Sequence, residues 1–130
     1  MTAMKKPFPG EQRRRVLLAE DDAAFRRFVG RVLVMSGYEV VEAGSGLEAL
    51  TLLDGGGAPL DLIVSDIVMP GLGGAGLARE AHRRFPGLRI ILISGYADKV
   101  EEILAEIGSE ADFLRKPFTP DELIAAIEKV

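Results

Sequence analysis

The chain has 130 residues, enough for one domain that buries its own core without staples. Its 20 acidic residues against 16 basic ones leave a net charge of -4, which argues against broad nucleic-acid binding. There is no cysteine, so disulfides and thiolate metal sites drop out; with no signal-peptide pattern and no apolar run of membrane length, a soluble cytoplasmic protein is expected.

Met1 to Gln12, with prolines, a glycine and no periodicity, reads as a flexible tail, and the folded unit is expected over 13–130. Val16-Leu17-Leu18-Ala19 is a short apolar strand that runs straight into Glu20-Asp21-Asp22. Asp22 is placed to cap a helix whose apolar face is Phe25, Phe28, Val29, Val32 and Leu33, and Gly37 stops that helix. Tyr38 to Ala43 reads as a strand near a sheet edge, because Glu39 and Glu42 interrupt its apolar character. Ser45 and Glu48 form a capping box for a short helix through Leu53.

Gly55-Gly56-Gly57 and Pro59 then connect to Leu60-Asp61-Leu62-Ile63-Val64-Ser65-Asp66, a buried strand that carries a carboxylate at its end and breaks at Pro70-Gly71. Gly73, Gly74 and Gly76 precede a helix with Leu77, Ala78, Ala81 and Phe85 on one face, ended by Pro86-Gly87. On that helix His82-Arg83-Arg84, like Arg13-Arg14-Arg15 earlier, is expected to be solvated surface. Ile90-Ile91-Leu92-Ile93 is a further buried strand ending in Ser94-Gly95. A helix with Val100, Ile103, Leu104 and Ile107 on one face closes at Gly108. Ala111 to Arg115 is the last strand, Lys116-Pro117-Phe118 follows, and Thr119 with Pro120 and Glu122 caps the last helix, whose inward residues are Leu123, Ile124 and Ile127.

Strand followed by helix, five times over with short loops, is the pattern of a doubly wound α/β fold: a parallel sheet covered by helices on both faces. Ligands in such folds bind beyond the carboxyl ends of the strands. Glu20-Asp21-Asp22, Asp66, Ser94 and Lys116 all fall there. Crowded carboxylates repel one another unless a cation lies among them, and hard oxygens with no His or Cys suit Mg2+. With a lysine and a hydroxyl added, the edge suits a phosphoryl group on an aspartate.

Glu20-Asp21 after a strand, Asp66 followed by Met69-Pro70 and Gly74, Ser94, and Lys116-Pro117-Phe118 resemble the receiver domain of two-component response regulators, of the chemotaxis-regulator-like kind. The resemblance runs from about Arg14 to Val130. It implies a flavodoxin-like five-stranded sheet in the order 2-1-3-4-5 with five helices. Asp66 would be the phosphoacceptor, taking a phosphoryl group from a histidine kinase or a histidine phosphotransfer protein. Asp21, Asp66 and the carbonyl of Val68 would bind Mg2+, with Glu20 helping through water. Lys116 would pair with phosphoryl oxygens, the Ser94 hydroxyl would bond one of them, and Phe113 would turn inward as an aromatic switch. The bond before Pro117 would be cis, aiming Lys116 into the site. The implied chemistry is the chain's own phosphorylation and dephosphorylation, in the service of a switch.

Each role has a plainer rival. Asp66 could cap the turn at Pro70-Gly71, Ser94 could begin the turn at Gly95, and Lys116 could be surface charge. Phe113 is a core residue in either reading, and Asp22 is a helix cap before it is a ligand. A phosphatase of the haloacid-dehalogenase type needs an acid two residues beyond its nucleophile, where this chain has Val68. A flavin binder would place amides and hydroxyls where this chain has Glu20-Asp21-Asp22. The remaining alternative is a receiver-like interaction module that works without phosphorylation.

Val68 and Tyr96 occupy positions that in the family set the lifetime of the acyl phosphate. Neither carries an amide or carboxylate to orient water, so slow autodephosphorylation is expected, with Tyr96 shielding the phosphoryl group. Ser94-Gly95-Tyr96 also looks more like receivers attached to hybrid sensor kinases. With no effector motif after Val130, the chain is expected to be a stand-alone receiver or one cut from a longer protein, and not to bind a promoter itself. Its output would pass to a protein partner, with homodimerisation open, through the face at about 98–130.

Overall fold

A computed structural model describes residues 14–55, 59–95 and 100–129. The tail expected over 1–12 lies outside the described residues, as does Tyr96. Five strands alternate with five helices: β1 Arg15–Ala19, α1 Ala23–Met35, β2 Glu39–Ala43, α2 Gly46–Asp54, β3 Leu62–Asp66, α3 Gly74–Arg84, β4 Arg89–Ser94, α4 Val100–Ile107, β5 Ala111–Arg115 and α5 Pro120–Glu128. All neighbouring strands are parallel, in the order β2-β1-β3-β4-β5. The sheet order and element count are those the resemblance implies.

Side-chain alternation divides the central strands between two core layers. Leu17, Ile63, Ile90 and Leu92 pack with Ala49, Leu77, Ala81 and Ile103 from α2, α3 and α4. Their neighbours Val16, Leu18, Val64, Ile91 and Ile93 pack with Val29, Leu33, Leu123 and Ile127 from α1 and α5. A strand apolar at every position is what burial on both faces requires.

The caps explain where the helices begin. Asp22 Oδ1 accepts from the amides of Ala24 and Phe25, starting α1. At α5 the capping box is complete: the Glu122 amide donates to Thr119 Oγ1 at 3.1 Å and the Thr119 amide to Glu122 Oε1 at 2.8 Å. At α2 the box is shifted by one residue. Ser45 Oγ accepts from the Glu48 amide, but Glu48 Oε1 accepts from Gly44 rather than from Ser45. The other end of α5 is gripped by Arg89, which donates to the carbonyls of Ile127 at 2.6 Å and Ala126 at 3.3 Å and pairs with Asp112 at 3.3 Å.

Several expectations need correction. β2 begins at Glu39, because the Tyr38 amide donates to the Leu33 carbonyl at 3.1 Å at the end of α1 instead of entering the ladder, while its buried hydroxyl reaches Glu128 Oε2 at 3.2 Å. Likewise β3 begins at Leu62, since Asp61 Oδ2 accepts from the Arg15 amide at 2.8 Å and holds the start of β1. Phe28 and Phe85, assigned to inward faces, are 43% and 45% exposed. Phe85 ends α3 as its cap residue, so the helical spacing no longer aims it at the core. His82 is half-buried rather than exposed, with Nδ1 shut off from solvent and without a hydrogen-bond partner. Arg83 is exposed as expected, Arg84 is half-buried, and both are held by Glu80. Among the described residues no helix is long and apolar enough to cross a membrane.

Candidate functional site

The strand register brings the polar ends together. Ala19 lies opposite Ser65, so Glu20 follows at the level of Asp66; Asp66 lies opposite Ile93, and Ser94 opposite Arg115. Lys116 comes next, and its amide donates to the Ser94 carbonyl at 3.0 Å. Four residues remote in sequence thus share one carboxyl edge. The Lys116–Pro117 bond is cis.

Asp66 is buried, and both of its carboxylate oxygens are engaged. Oδ1 accepts from the Val68 amide at 3.2 Å, and Oδ2 from Lys116 Nζ at 3.1 Å. The same ammonium lies 3.8 Å from Glu20 Oε1. Glu20, only 3% exposed, also accepts from the Asp22 amide at 3.0 Å. Burial pushes the Glu20 carboxyl up to about 7; the Asp22 amide pulls it down, Asp66 adds to the rise and Lys116 opposes it.

Asp21 is exposed, yet one oxygen each from Glu20, Asp21 and Asp66 lie within 4.8 Å of one another. One ammonium faces three carboxylates, so the pocket lacks positive charge. All of these donors are hard oxygens, and the set fits a divalent ion such as Mg2+.

Backbone approach shapes the floor. A Cβ on Gly74 would stand 2.1 Å from the Asp66 carbonyl oxygen, so glycine lets α3 begin directly under the end of β3. Ser94 is fully buried and follows the alternation of Ile90 and Leu92, facing the layer against which the half-buried Phe113 packs. Val68, by contrast, is 58% exposed at the mouth.

Two contributors were missed in the sequence. Arg26 donates from Nη1 to the Glu20 carbonyl at 2.7 Å and from Nε to Glu42 Oε1 at 3.0 Å, bracing the acidic loop against β2. Phe25 places its ring 4.4 Å from Lys116 Nζ. Helical spacing marks Phe25 as apolar and Arg26 as polar, but it does not say that β1, β2 and β5 end beside them.

Residues 16–128 match the family described as the response regulator receiver domain. The response regulator receiver protein CpdR of Brucella abortus is 38% identical over 117 residues, covering 90% of this chain and 96% of that protein. The sensor kinase CckA of the same organism is 37% identical over 115 residues, 88% of this chain but 12% of that protein. The chain also spans about half the length of the probable transcriptional regulators it matches, 48% for ycf27 of Cyanophora paradoxa. Among solved structures, a CheY-like receiver from Methanospirillum hungatei superposes with a TM-score of 0.82 at 28% identity, over 91% of this chain and 93% of that one. TrrA from Thermotoga maritima, solved in complex with Mg2+ and BeF, gives 0.79 at 29% identity, over 89% of this chain and 97% of that one.

Proposed function

The chain belongs to the response regulator receiver family of two-component signalling, and from that premise we propose that Asp66 is its phosphoacceptor, served by Lys116, Ser94 and the acids of the β1 loop. The observation that carries this is the contact of Lys116 Nζ with Asp66 Oδ2 at 3.1 Å inside a pocket of three carboxylates.

In the proposed step an Asp66 oxygen attacks the phosphorus of a phosphohistidine on a histidine kinase or phosphotransfer protein. The new P–O bond forms as the P–N bond breaks, and the imidazole leaves with a proton. Glu20, Asp21, Asp66 and the backbone at Val68 would hold Mg2+, which when bound offsets charge on the phosphoryl oxygens. Lys116, already beside Oδ2, moves its ammonium from the carboxylate to a phosphoryl oxygen. The Ser94 hydroxyl bonds another, and Phe113 follows it inward on the same layer of the sheet.

The signal leaves through the α4–β5–α5 face toward a downstream protein. A cavity of about 580 Å3 lies there, lined in part by Phe113, Leu114, Arg115, Pro117 and Ala126. Both stand-alone receivers and receivers within hybrid kinases are represented among the relatives.

Exposure to acetyl phosphate and Mg2+, with wild type and Asp66→Asn compared by intact mass, tests the assignment. A single phosphoryl adduct on the wild type alone is expected. An adduct on both proteins, or on neither, overturns it.

A further inference from the structure

Lys116 has a third neighbour besides the two carboxylates. Its Nζ stands 4.4 Å from the centroid of the Phe25 ring while it reaches Asp66 Oδ2 at 3.1 Å and Glu20 Oε1 at 3.8 Å. A cation within about 6 Å of an aromatic face is attracted by the ring's quadrupole, more strongly where water is partly excluded. The Lys116 side chain is half-buried, so that condition is met.

Phe25 is itself firmly placed. Its amide donates to Asp22 Oδ1 at 3.2 Å, which fixes the residue in the first turn of α1. Its ring meets Phe118 edge-on, with centroids 5.8 Å apart at 71°, and Phe28 at 6.1 Å. Phe118 lies two residues beyond Lys116, so one ring from α1 touches both ends of Lys116-Pro117-Phe118. The wall behind the ammonium is therefore tied to the loop that supplies Glu20 and Asp21.

A lysine side chain is long and flexible, and a carboxylate alone fixes its distance better than its direction. We propose that Phe25 is a positioning residue for phosphoryl acceptance, its ring face holding the Lys116 ammonium at the Asp66 carboxylate where the incoming phosphoryl oxygens arrive. The inference rests on Asp66 being the acceptor. An aliphatic residue would keep the packing on Phe118 but lose the attraction for the charge. Ring electronics separate the two contributions, because fluorine drains the quadrupole while largely keeping the shape.

The full chain carrying progressively fluorinated phenylalanines at position 25 is exposed to acetyl phosphate and Mg2+, and adduct growth is followed by intact mass alongside the melting temperature. The rate should fall stepwise with fluorination, to about a third to a tenth of the wild-type rate at full substitution, with the melting temperature nearly constant. Phe25→Leu should slow acceptance by a similar factor and Phe25→Tyr should restore it. The same fluorination at Phe28 should leave the rate unchanged. Equal rates across the position-25 series, with a normal adduct on Asp66, overturn the inference and leave the acceptor assignment standing. A wild-type chain that takes up no phosphoryl group, or takes it up equally as Asp66→Asn, overturns both.

Discussion

The guanidinium of Arg26 spans two elements, donating to the Glu20 carbonyl at 2.7 Å and to the Glu42 carboxylate at 3.0 Å. The loop bearing Glu20 and Asp21 is thus braced from behind by a residue that need not touch any ligand. Groups of this kind typically change metal affinity by tenfold or more when removed. Arg26→Met keeps the aliphatic stem, and it should weaken Mg2+ binding roughly tenfold, as read by calorimetric titration. Unchanged affinity would show that the loop holds its shape without the brace.

Glu20 makes stability depend on pH. An unfolded chain releases this proton near 4.5, whereas the buried pocket keeps it up to about 7. Between those values the unfolded state is the better acid, so ionisation favours unfolding and native stability falls as pH rises. Without divalent ions the loss attributable to Glu20 should be on the order of 2 kcal/mol across that window. Urea unfolding at pH 4.5 and 7.5 should show it, and Glu20→Gln should remove most of it. Mg2+ should raise the melting temperature more at the higher pH, where the ligand is already free of its proton.

Gly74 tests how close the third helix must come. An added methyl would meet the Asp66 carbonyl at 2.1 Å, so Gly74→Ala must push α3 away from the end of β3. A cost of about 1–3 kcal/mol is expected from urea midpoints, together with slower phosphoryl uptake. Gly87→Ala is the control, since a Cβ there meets nothing within 4 Å. Equal losses in the two variants would mean that the close approach is not what matters.

Val68 bears on how long the adduct lasts. Its side chain is exposed at the mouth of the pocket and offers no polar atom to hold a water for attack. Val68→Asn, alone or with Tyr96→Glu, should shorten the half-life of the phosphoryl adduct severalfold, measured by mass after the donor is removed. No acceleration would place the control of hydrolysis elsewhere.

Much of this was written locally in the chain. The apolar runs of β1, β3 and β4, the caps at Asp22 and Thr119 and the polar residues at the ends of β1, β3, β4 and β5 are readable without a partner in view. Parallel strands then carry Glu20, Asp66, Ser94 and Lys116 to one edge by topology alone. What periodicity cannot supply is the surroundings of a side chain. Phe25 and Phe28 sit on the same helical stripe, yet one lies under Lys116 and the other is open to solvent. Tyr38 reads as one more apolar residue of a strand, and nothing local says that its hydroxyl meets Glu128, 90 positions away. The burial that lifts Glu20 is equally a property of the assembled edge.

Arg89 pins the last turn of α5 near the amino edge of the sheet, whereas Lys116-Pro117-Phe118 steers its first turn near the carboxyl edge. Ala126 and Ile127 are thus tied to β4 through Arg89, while Asp121 and Glu122 stand next to the loop that follows Lys116. A partner that reads phosphorylation of Asp66 is therefore expected to grip this helix near its start, beside the site, and not at the end held by Arg89.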